Sequence, residues 1–205
     1  MEVNCVYTIA KNFFRFVIKG MLITNYEPNR TNFCAKGVMV GRFDPFTISH
    51  KRMAEVGSKL FDEVVILPAK SVMGAKKQEF LPFDTRVDLI RKSVKEFPNV
   101  KVEYYDGYTG DYAREHNIDF ILRGARDGDE FVFEQNLAGF NKGINKNLTT
   151  VILPDDIGNE KISATLVREN IAKDKDISNL VPMPVKEFIQ EHLSELKQRL
   201  SGGKK

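Results

Sequence analysis

The sequence predicts an α/β fold in which a parallel five-stranded sheet is doubly wound, with helices on both faces. Short runs rich in Val, Ile and Leu alternate with longer helical segments from Gly37 onwards. Short Val/Ile/Leu runs between helical segments are typical of parallel strands covered on both sides. The first run, Val38–Val40, ends in a Gly/Pro turn that leads directly into a helical pattern. In such folds ligands bind at the carboxyl ends of the strands.

Five apolar runs predict the strands and six amphipathic or capped segments predict the helices. The strands are expected at Gly37–Val40, Glu63–Leu67, Val100–Tyr104, Phe120–Leu122 and Thr150–Leu153. The helices are expected at Ser49–Leu60, Phe83–Phe97, Thr109–His116, Glu130–Lys142, Ser163–Asn170 and Val185–Leu200. The last of these carries apolar residues at helical spacing, which predicts one C-terminal helix that packs on the core or on an oligomer partner.

Three regions follow from this pattern. Residues 1–36, with clustered aromatic residues and a turn-rich stretch, are predicted to be an N-terminal extension of unknown role. Residues 37–200 are predicted to form the α/β domain, and residues 201–205 a flexible tail.

Composition narrows the class of protein. The chain has 205 residues with a net charge of +3, which is too small to indicate nucleic-acid or membrane binding. Two cysteines cannot define a disulfide framework, and no apolar run approaches the roughly 20 residues of a membrane span. We therefore expect a cytoplasmic protein that acts on a small molecule.

The stretch Gly41–His50 carries the first candidate site. A buried strand that runs through a Gly/Pro turn into a helix places free backbone N–H groups and a positive dipole end at one point, which suits phosphate. Thr47 and His50 are three residues apart and face the same side of the first turn. Together they could stabilise negative charge on a reacting phosphate, and we assign them as catalytic.

Three further segments carry groups suited to phosphate at predicted strand ends or helix starts. Arg123 and Arg126 bracket Gly124, and guanidinium forks bind phosphate oxygens while glycine permits close approach. Lys76 and Lys77 lie on the loop after the second strand, where they could close over a triphosphate. Ser163 is placed to cap a helix whose first turn holds Ala164 and Thr165. Each segment alone has an ordinary structural explanation as solvated charge or a capped helix.

Taken together, these segments resemble the nucleotidyltransferase superfamily and, within it, the bacterial phosphopantetheine adenylyltransferase family. Gly41-Arg42-Phe43-Asp44-Pro45-Phe46-Thr47-Ile48-Ser49-His50 is similar to the superfamily signature G-x-F-D-P-x-[TH]-x-G-H. The resemblance covers most of the chain, from about Val38 to about Leu196, and includes Gly107–Ala113, the Arg-Gly-x-Arg element with Glu134, and the Ser-rich segment from Ile162.

The resemblance implies adenylyl transfer from ATP, with Mg²⁺, to 4′-phosphopantetheine, giving dephospho-coenzyme A and pyrophosphate. It implies a catalytic role for Lys77 and Arg123 beside Thr47 and His50, and acceptor contacts from Arg42, Lys77, Tyr108, Thr109 and Arg123. It also implies a homo-oligomer, commonly a hexamer. The residues expected to hold ATP are Gly41, Phe43, His50, Gly124, Arg126, Glu134, Ser163, Ala164 and Thr165.

Two positions depart from the family pattern and keep alternatives open. Arg42 stands where the family has Thr or Ser, and some nicotinamide-mononucleotide adenylyltransferases carry Arg there. Ser49 stands where the family has Gly. The alternatives are a nicotinate or nicotinamide mononucleotide adenylyltransferase, a cytidylyltransferase, and a nucleotide-binding protein that has lost catalysis.

Overall fold

The computed structural model describes residues 34–70, 79–154 and 162–202. The predicted N-terminal extension, except for its last three residues, lies outside the described residues, and so do Lys76, Lys77 and the last three residues of the chain. None of the helices in the described part of the chain combines the length and the apolar character that a membrane crossing requires.

The described residues contain one five-stranded sheet, in which all strands are parallel and the order is β3-β2-β1-β4-β5. The strands are β1 (Lys36–Gly41), β2 (Glu63–Pro68), β3 (Val100–Val102), β4 (Phe120–Ala125) and β5 (Thr149–Pro154). All five predicted strands are confirmed, and the doubly wound order with them. The chain adds β2 and β3 on one side of β1, and then adds β4 and β5 on the other side. Folds of this class bind ligands at such a switch point, which here lies between β1 and β4.

The helices in the described residues cover both faces of this sheet. They are α1 (Ile48–Leu60), α2 (Phe83–Ser93), α3 (Thr109–Glu115), α4 (Gly128–Ile144), α5 (Ala164–Ala172), α6 (Met183–Glu191) and α7 (Leu193–Gly202). Side chains from neighbouring positions of β1 enter different cores, because successive strand residues point to opposite faces. Met39 packs with residues of α1, α2, α5, α6 and α7, whereas Val38 packs with Tyr112 and Ala113 of α3.

Helix α1 lies close to the sheet because of Gly57. A Cβ atom at Gly57 would stand 2.9 Å from Leu122 Cδ2 and 3.3 Å from Val64 Cγ2, so a larger residue would push the helix away from β2 and β4. This close packing holds the first turn of α1 at the carboxyl end of β1, beside the point where the chain switches direction.

Two predicted helices differ from the structure. The predicted helix Phe83–Phe97 ends at Ser93, and residues 94–96 form a turn in which the backbone N–H of Phe97 donates to the carbonyl oxygen of Val94 at 2.9 Å. The predicted single C-terminal helix is two, α6 and α7, separated at His192. The imidazole of His192 stacks on Phe188 with 4.1 Å between ring centroids, and its Nδ1 lies 2.9 Å from the Phe188 carbonyl oxygen. Helix α7 continues through Gly202, two residues beyond the predicted end of the domain.

Candidate active site

A cavity of about 400 Å³ opens at the carboxyl ends of β1, β4 and β5, between α1 and α4. It is therefore located where the parallel sheet predicts a ligand. Its wall includes Gly41, Phe43, His50, Arg123, Gly124, Arg126 and Glu134, which are seven of the residues that sequence analysis assigned to the site.

The turn between β1 and α1 is built around Phe43 and Asp44. Phe43 has a φ of 50°, in the left-handed region that non-glycine residues seldom adopt, and its ring is buried. The ring occupies the space beside Gly41, where a Cβ atom would lie 2.8 Å from it. Asp44 is buried and accepts hydrogen bonds from the backbone N–H groups of Phe80 and Leu81, at 3.0 and 2.8 Å. These contacts anchor the turn to the segment that precedes α2.

Helix α1 begins with a capping box made by the two residues of the predicted catalytic pair. Thr47 is the N-cap, and its hydroxyl oxygen accepts from the backbone N–H of His50 at 3.4 Å. In return, Nδ1 of His50 accepts from the backbone N–H of Thr47 at 3.0 Å. Reciprocal bonds of this kind satisfy two donors at a helix start and fix the side chain of the third helical residue.

This bonding determines the state of the His50 ring. Since Nδ1 accepts a hydrogen bond, the neutral ring carries its proton on Nε2, the nitrogen left to act as a donor. Burial, followed by the positive charges of Arg126 and Arg123, lowers the pKa of His50 to about 3. The ring is therefore neutral at physiological pH, and it would donate a hydrogen bond to a ligand without bringing a positive charge.

Thr47 does not line the cavity, although it was predicted to act with His50. Its side chain is fully buried, and its hydroxyl lies 3.0 Å from Nδ1 of His50. Thr47 thus orients the imidazole ring and has no surface of its own in the cavity wall. The start of α1 also offers fewer free donors than expected, because the backbone N–H of Ile48 donates to the carbonyl oxygen of Leu180 at 2.9 Å.

Arg123 lies in β4, and its side chain contacts both α4 and β1. Its Nε and Nη2 donate to the two carboxylate oxygens of Glu134 on α4, at 2.6 and 2.5 Å, and its Nη1 donates to the carbonyl oxygen of Val40 in β1. Glu134 is 6% exposed. The pair is thus a bidentate ion pair in the cavity wall, with a buried carboxylate and a half-buried guanidinium, and it fixes α4 against the sheet.

Arg126 lies at the rim of the cavity and is paired in a different way. Its backbone N–H and its Nε both donate to Oε2 of Glu130 at 2.9 Å, and its Nη2 donates to Oε1. Glu130 belongs to the first turn of α4, which is capped by the Asp127 side chain. The two arginines that were predicted to bind phosphate are therefore both held by carboxylates in the structure.

Four further predicted residues, Arg42, Ser163, Ala164 and Thr165, are not part of the cavity wall. Arg42 pairs with Asp44 at 3.2 Å beneath the turn. Ser163 caps α5, as predicted, and accepts from the backbone N–H of Leu166 at 3.0 Å, while its neighbour Ile162 lines the cavity. Thr165 accepts a hydrogen bond from Arg168, and Ala164 is half-buried beside Ser163.

The predicted acceptor residues at the start of α3 lie apart from this wall. Tyr108 precedes Thr109, the first residue of α3, and packs edge-on against Phe140 with 5.8 Å between the ring centroids. Tyr108 and Phe140 are 49% and 45% exposed, so this aromatic pair presents apolar surface.

Several residues of the cavity wall were not identified from the sequence as parts of the site. They are Val40, Arg52, Met53, Val56, Glu130, Phe133, Leu153, Pro154 and Ile162. Ser49, which was noted as a departure from the family pattern, also lines the cavity. Arg52 and Val56 lie three and seven residues after Ser49, and this helical spacing could have identified them. Leu153 and Pro154, which belong to β5, showed no sequence pattern that would indicate a binding site.

The fold and the position of this cavity define the class of protein. Residues 38–170 match the family model described as cytidylyltransferase-like, which places the chain among the nucleotidyltransferases.

Three relatives share a more particular name, phosphopantetheine adenylyltransferase. The proteins from Shouchella clausii, Vesicomyosocius okutanii and Bacteroides fragilis are 33%, 35% and 35% identical to this chain. The alignments cover 76%, 75% and 72% of this chain and 96%, 95% and 95% of the relatives. The chain belongs to the phosphopantetheine adenylyltransferase family.

A solved structure supports the fold. It is of a protein from Vibrio parahaemolyticus assigned as a nicotinate-nucleotide adenylyltransferase, with a TM-score of 0.62 and 18% identity. The similarity covers 81% of this chain and 97% of that one.

Proposed function

We propose that this protein transfers the adenylyl group of ATP to 4′-phosphopantetheine, forming dephospho-coenzyme A and releasing pyrophosphate. The observation that carries the proposal is the cavity at the switch point of the sheet, where a neutral imidazole and two arginines lie together. The names of the relatives that align along nearly their whole length identify the acceptor.

The reaction requires positioning more than covalent chemistry. An oxygen of the acceptor phosphate attacks the α-phosphorus of ATP, and the new P–O bond forms as the bond to the bridging oxygen breaks. Pyrophosphate leaves with the electron pair of that bond. A phosphate monoester is already anionic at neutral pH, so no strong general base is needed.

The described residues suit specific parts of this reaction. Nε2–H of His50 would donate to an oxygen of the α-phosphate, where negative charge grows in the transition state. Arg126 would hold phosphate oxygens of ATP, and the charge of Arg123 would favour the anions nearby. We assign Thr47 as a positioning residue for His50. Lys77 is proposed to neutralise the triphosphate, and Tyr108 and Thr109 to contact the acceptor.

Mg²⁺ belongs to the proposal as a companion of ATP. The described residues contain no group of three or more His, Cys, Asp or Glu side chains that could hold a metal ion. Both carboxylates of the cavity wall are paired with arginines. The described side chains therefore fit a Mg²⁺ ion whose ligands are mainly triphosphate oxygens. The ion would screen the negative charge of those oxygens.

A homo-oligomer is also part of the proposal. Phe131 and Val132, on the second turn of α4, are 45% and 55% exposed, and such neighbouring apolar surface favours association. Light scattering coupled to size-exclusion chromatography tests this directly. A monomer at micromolar concentration would contradict it.

The experiment that tests the activity measures pyrophosphate release by the purified protein with ATP, Mg²⁺ and 4′-phosphopantetheine. His50→Ala serves as the matched control, because it removes the proposed donor without changing the arginines. We expect release with wild type and a loss of about 10²- to 10³-fold in kcat with His50→Ala. Pyrophosphate release only with nicotinate mononucleotide or nicotinamide mononucleotide would contradict 4′-phosphopantetheine as the acceptor. No release with any acceptor would contradict adenylyl transfer itself.

A further inference from the structure

The contact between Arg126 and Glu130 differs from the other arginine–carboxylate pair in the cavity. The Glu134 carboxylate is 8% exposed and its partner Arg123 is 21% exposed, whereas Glu130 and Arg126 are 34% and 31% exposed. Breaking the first pair would leave a buried charge without its partner, which is strongly unfavourable. The second pair is open to solvent, so it can separate at low cost.

Glu130 occupies the groups that a phosphate would use. Its two oxygens accept from the Nε and the Nη2 of Arg126, which is the bidentate geometry in which guanidinium binds phosphate. It also accepts from the backbone N–H of Arg126. An oxyanion that reached this side of Arg126 would have to replace Glu130.

The location of Glu130 makes that replacement feasible. Glu130 lies in the first turn of α4, where the positive end of the helix dipole stabilises a carboxylate whether or not it contacts Arg126. Its side chain is 34% exposed at the cavity wall, so solvent can hydrate the carboxylate when it leaves Arg126. Arg126 would then exchange one bidentate anion for another and keep its position.

We propose that Glu130 is an internal competitor of the nucleotide, holding the guanidinium of Arg126 until a phosphate group of the ligand displaces it. The inference rests on the proposed function only in taking a nucleotide phosphate as the ligand. Glu130 thus sets the affinity for phosphate-bearing ligands and keeps Arg126 oriented when the cavity holds none.

The test is a double-mutant cycle read by isothermal titration calorimetry with ATP and no acceptor. The variants are Glu130→Gln, Arg126→Ala and both together. We expect Glu130→Gln to bind ATP about three- to tenfold more tightly than wild type, because the competing carboxylate is gone. In the Arg126→Ala background the same change should alter the affinity less than about twofold, since the contact through which Glu130 acts is absent.

Asp129→Asn is the matched control. Asp129 lies beside Glu130 in the first turn of α4, and its replacement removes the same charge at the same helix start. We expect its affinity for ATP to stay within about twofold of wild type. Adenosine provides a second control, because it carries no phosphate and its affinity should be unchanged by Glu130→Gln.

Two results would overturn the inference. One is an unchanged or weaker ATP affinity in Glu130→Gln. The other is a tightening that persists in the Arg126→Ala background, which would mean that Glu130 only repels the ligand through its charge. The titration contains no acceptor, so a failure to turn over 4′-phosphopantetheine would contradict the proposed function and leave this result standing. If 4′-phosphopantetheine is turned over normally but the cycle shows no coupling between Glu130 and Arg126, only the inference is contradicted.

Discussion

The backbone N–H of Thr47 donates to Nδ1 of His50 at 3.0 Å, and this one bond determines which nitrogen of the ring can act on a ligand. It fixes the protonated tautomer at Nε2, while burial and two nearby arginines keep the ring neutral. His50 is therefore a hydrogen-bond donor of fixed orientation. The positive charge beside the ring comes from Arg126 and Arg123.

The lowered pKa of His50 predicts that stability depends on pH in a defined window. The folded ring has a pKa of about 3, while an unfolded histidine titrates near 6.5. Between these values the unfolded chain binds more protons, so the free energy of unfolding decreases as the pH falls from about 6.5 towards 3.

The measurement compares urea unfolding of wild type and His50→Gln at pH 7 and at pH 4.5. Glutamine does not titrate, so the variant should lose less stability on acidification, by up to about 2.5 kcal/mol. The comparison removes the contribution of carboxylates that titrate in both proteins. Equal losses in the two proteins would show that His50 is not held neutral.

Thr47 should contribute to stability and catalysis through the same capping box. We expect Thr47→Val to lower the free energy of unfolding by about 1–2 kcal/mol, because the backbone N–H of His50 loses its acceptor. It should also lower kcat, though by less than His50→Ala, since the bond from the Thr47 backbone to Nδ1 remains. Thr47→Ser retains the hydroxyl and should restore both quantities. A Thr47→Ser variant as impaired as Thr47→Val would contradict this role.

The fold was predictable from the sequence because the apolar runs of the central strands fill both faces of the sheet. Met39 and Val38 enter opposite cores, and such a run has few other stable arrangements. The break at His192 could not be predicted, since the amphipathic pattern continues across it. The cavity residues that were predicted from the sequence belong to short continuous motifs, as His50 does. The spacing of Arg126 and Glu130, four residues apart, was a signal that could have identified their pairing.

Arg86 should be essential for the stability of the turn that carries the site. It is 1% exposed and donates from Nη1 to the carbonyl oxygens of Arg42 and Ala69, at 2.6 and 2.8 Å, and from Nε to that of Leu81 at 3.2 Å. We expect Arg86→Met to lower the free energy of unfolding by about 3 kcal/mol or more, because these buried carbonyl groups lose their donors.

Arg91→Met is the control for Arg86, since Arg91 is exposed and makes a single bond of 3.3 Å to the carbonyl oxygen of Val102. Its unfolding free energy should stay within about 0.5 kcal/mol of wild type. Chemical denaturation of the two variants separates the effects, and a similar loss in both would contradict the role assigned to Arg86.

The two glycines of the cavity wall should respond differently to alanine. At Gly41 a Cβ atom would lie 2.8 Å from the ring of Phe43, which is buried and held at a φ of 50°. At Gly124 the nearest atom is Met53 Sδ at 3.6 Å, an ordinary contact. We therefore expect Gly41→Ala to lower the free energy of unfolding by about 1–3 kcal/mol through overpacking, and Gly124→Ala to leave it nearly unchanged.

Calorimetric titration with ATP then separates packing from binding at these positions. Since Gly124→Ala keeps the fold, any loss of ATP affinity in that variant measures how closely the ligand approaches β4. We expect a loss of at least about fivefold, because Gly124 lines the cavity and a methyl group there would occupy space on the side of Met53. Unchanged affinity in Gly124→Ala would place the phosphates away from this strand end.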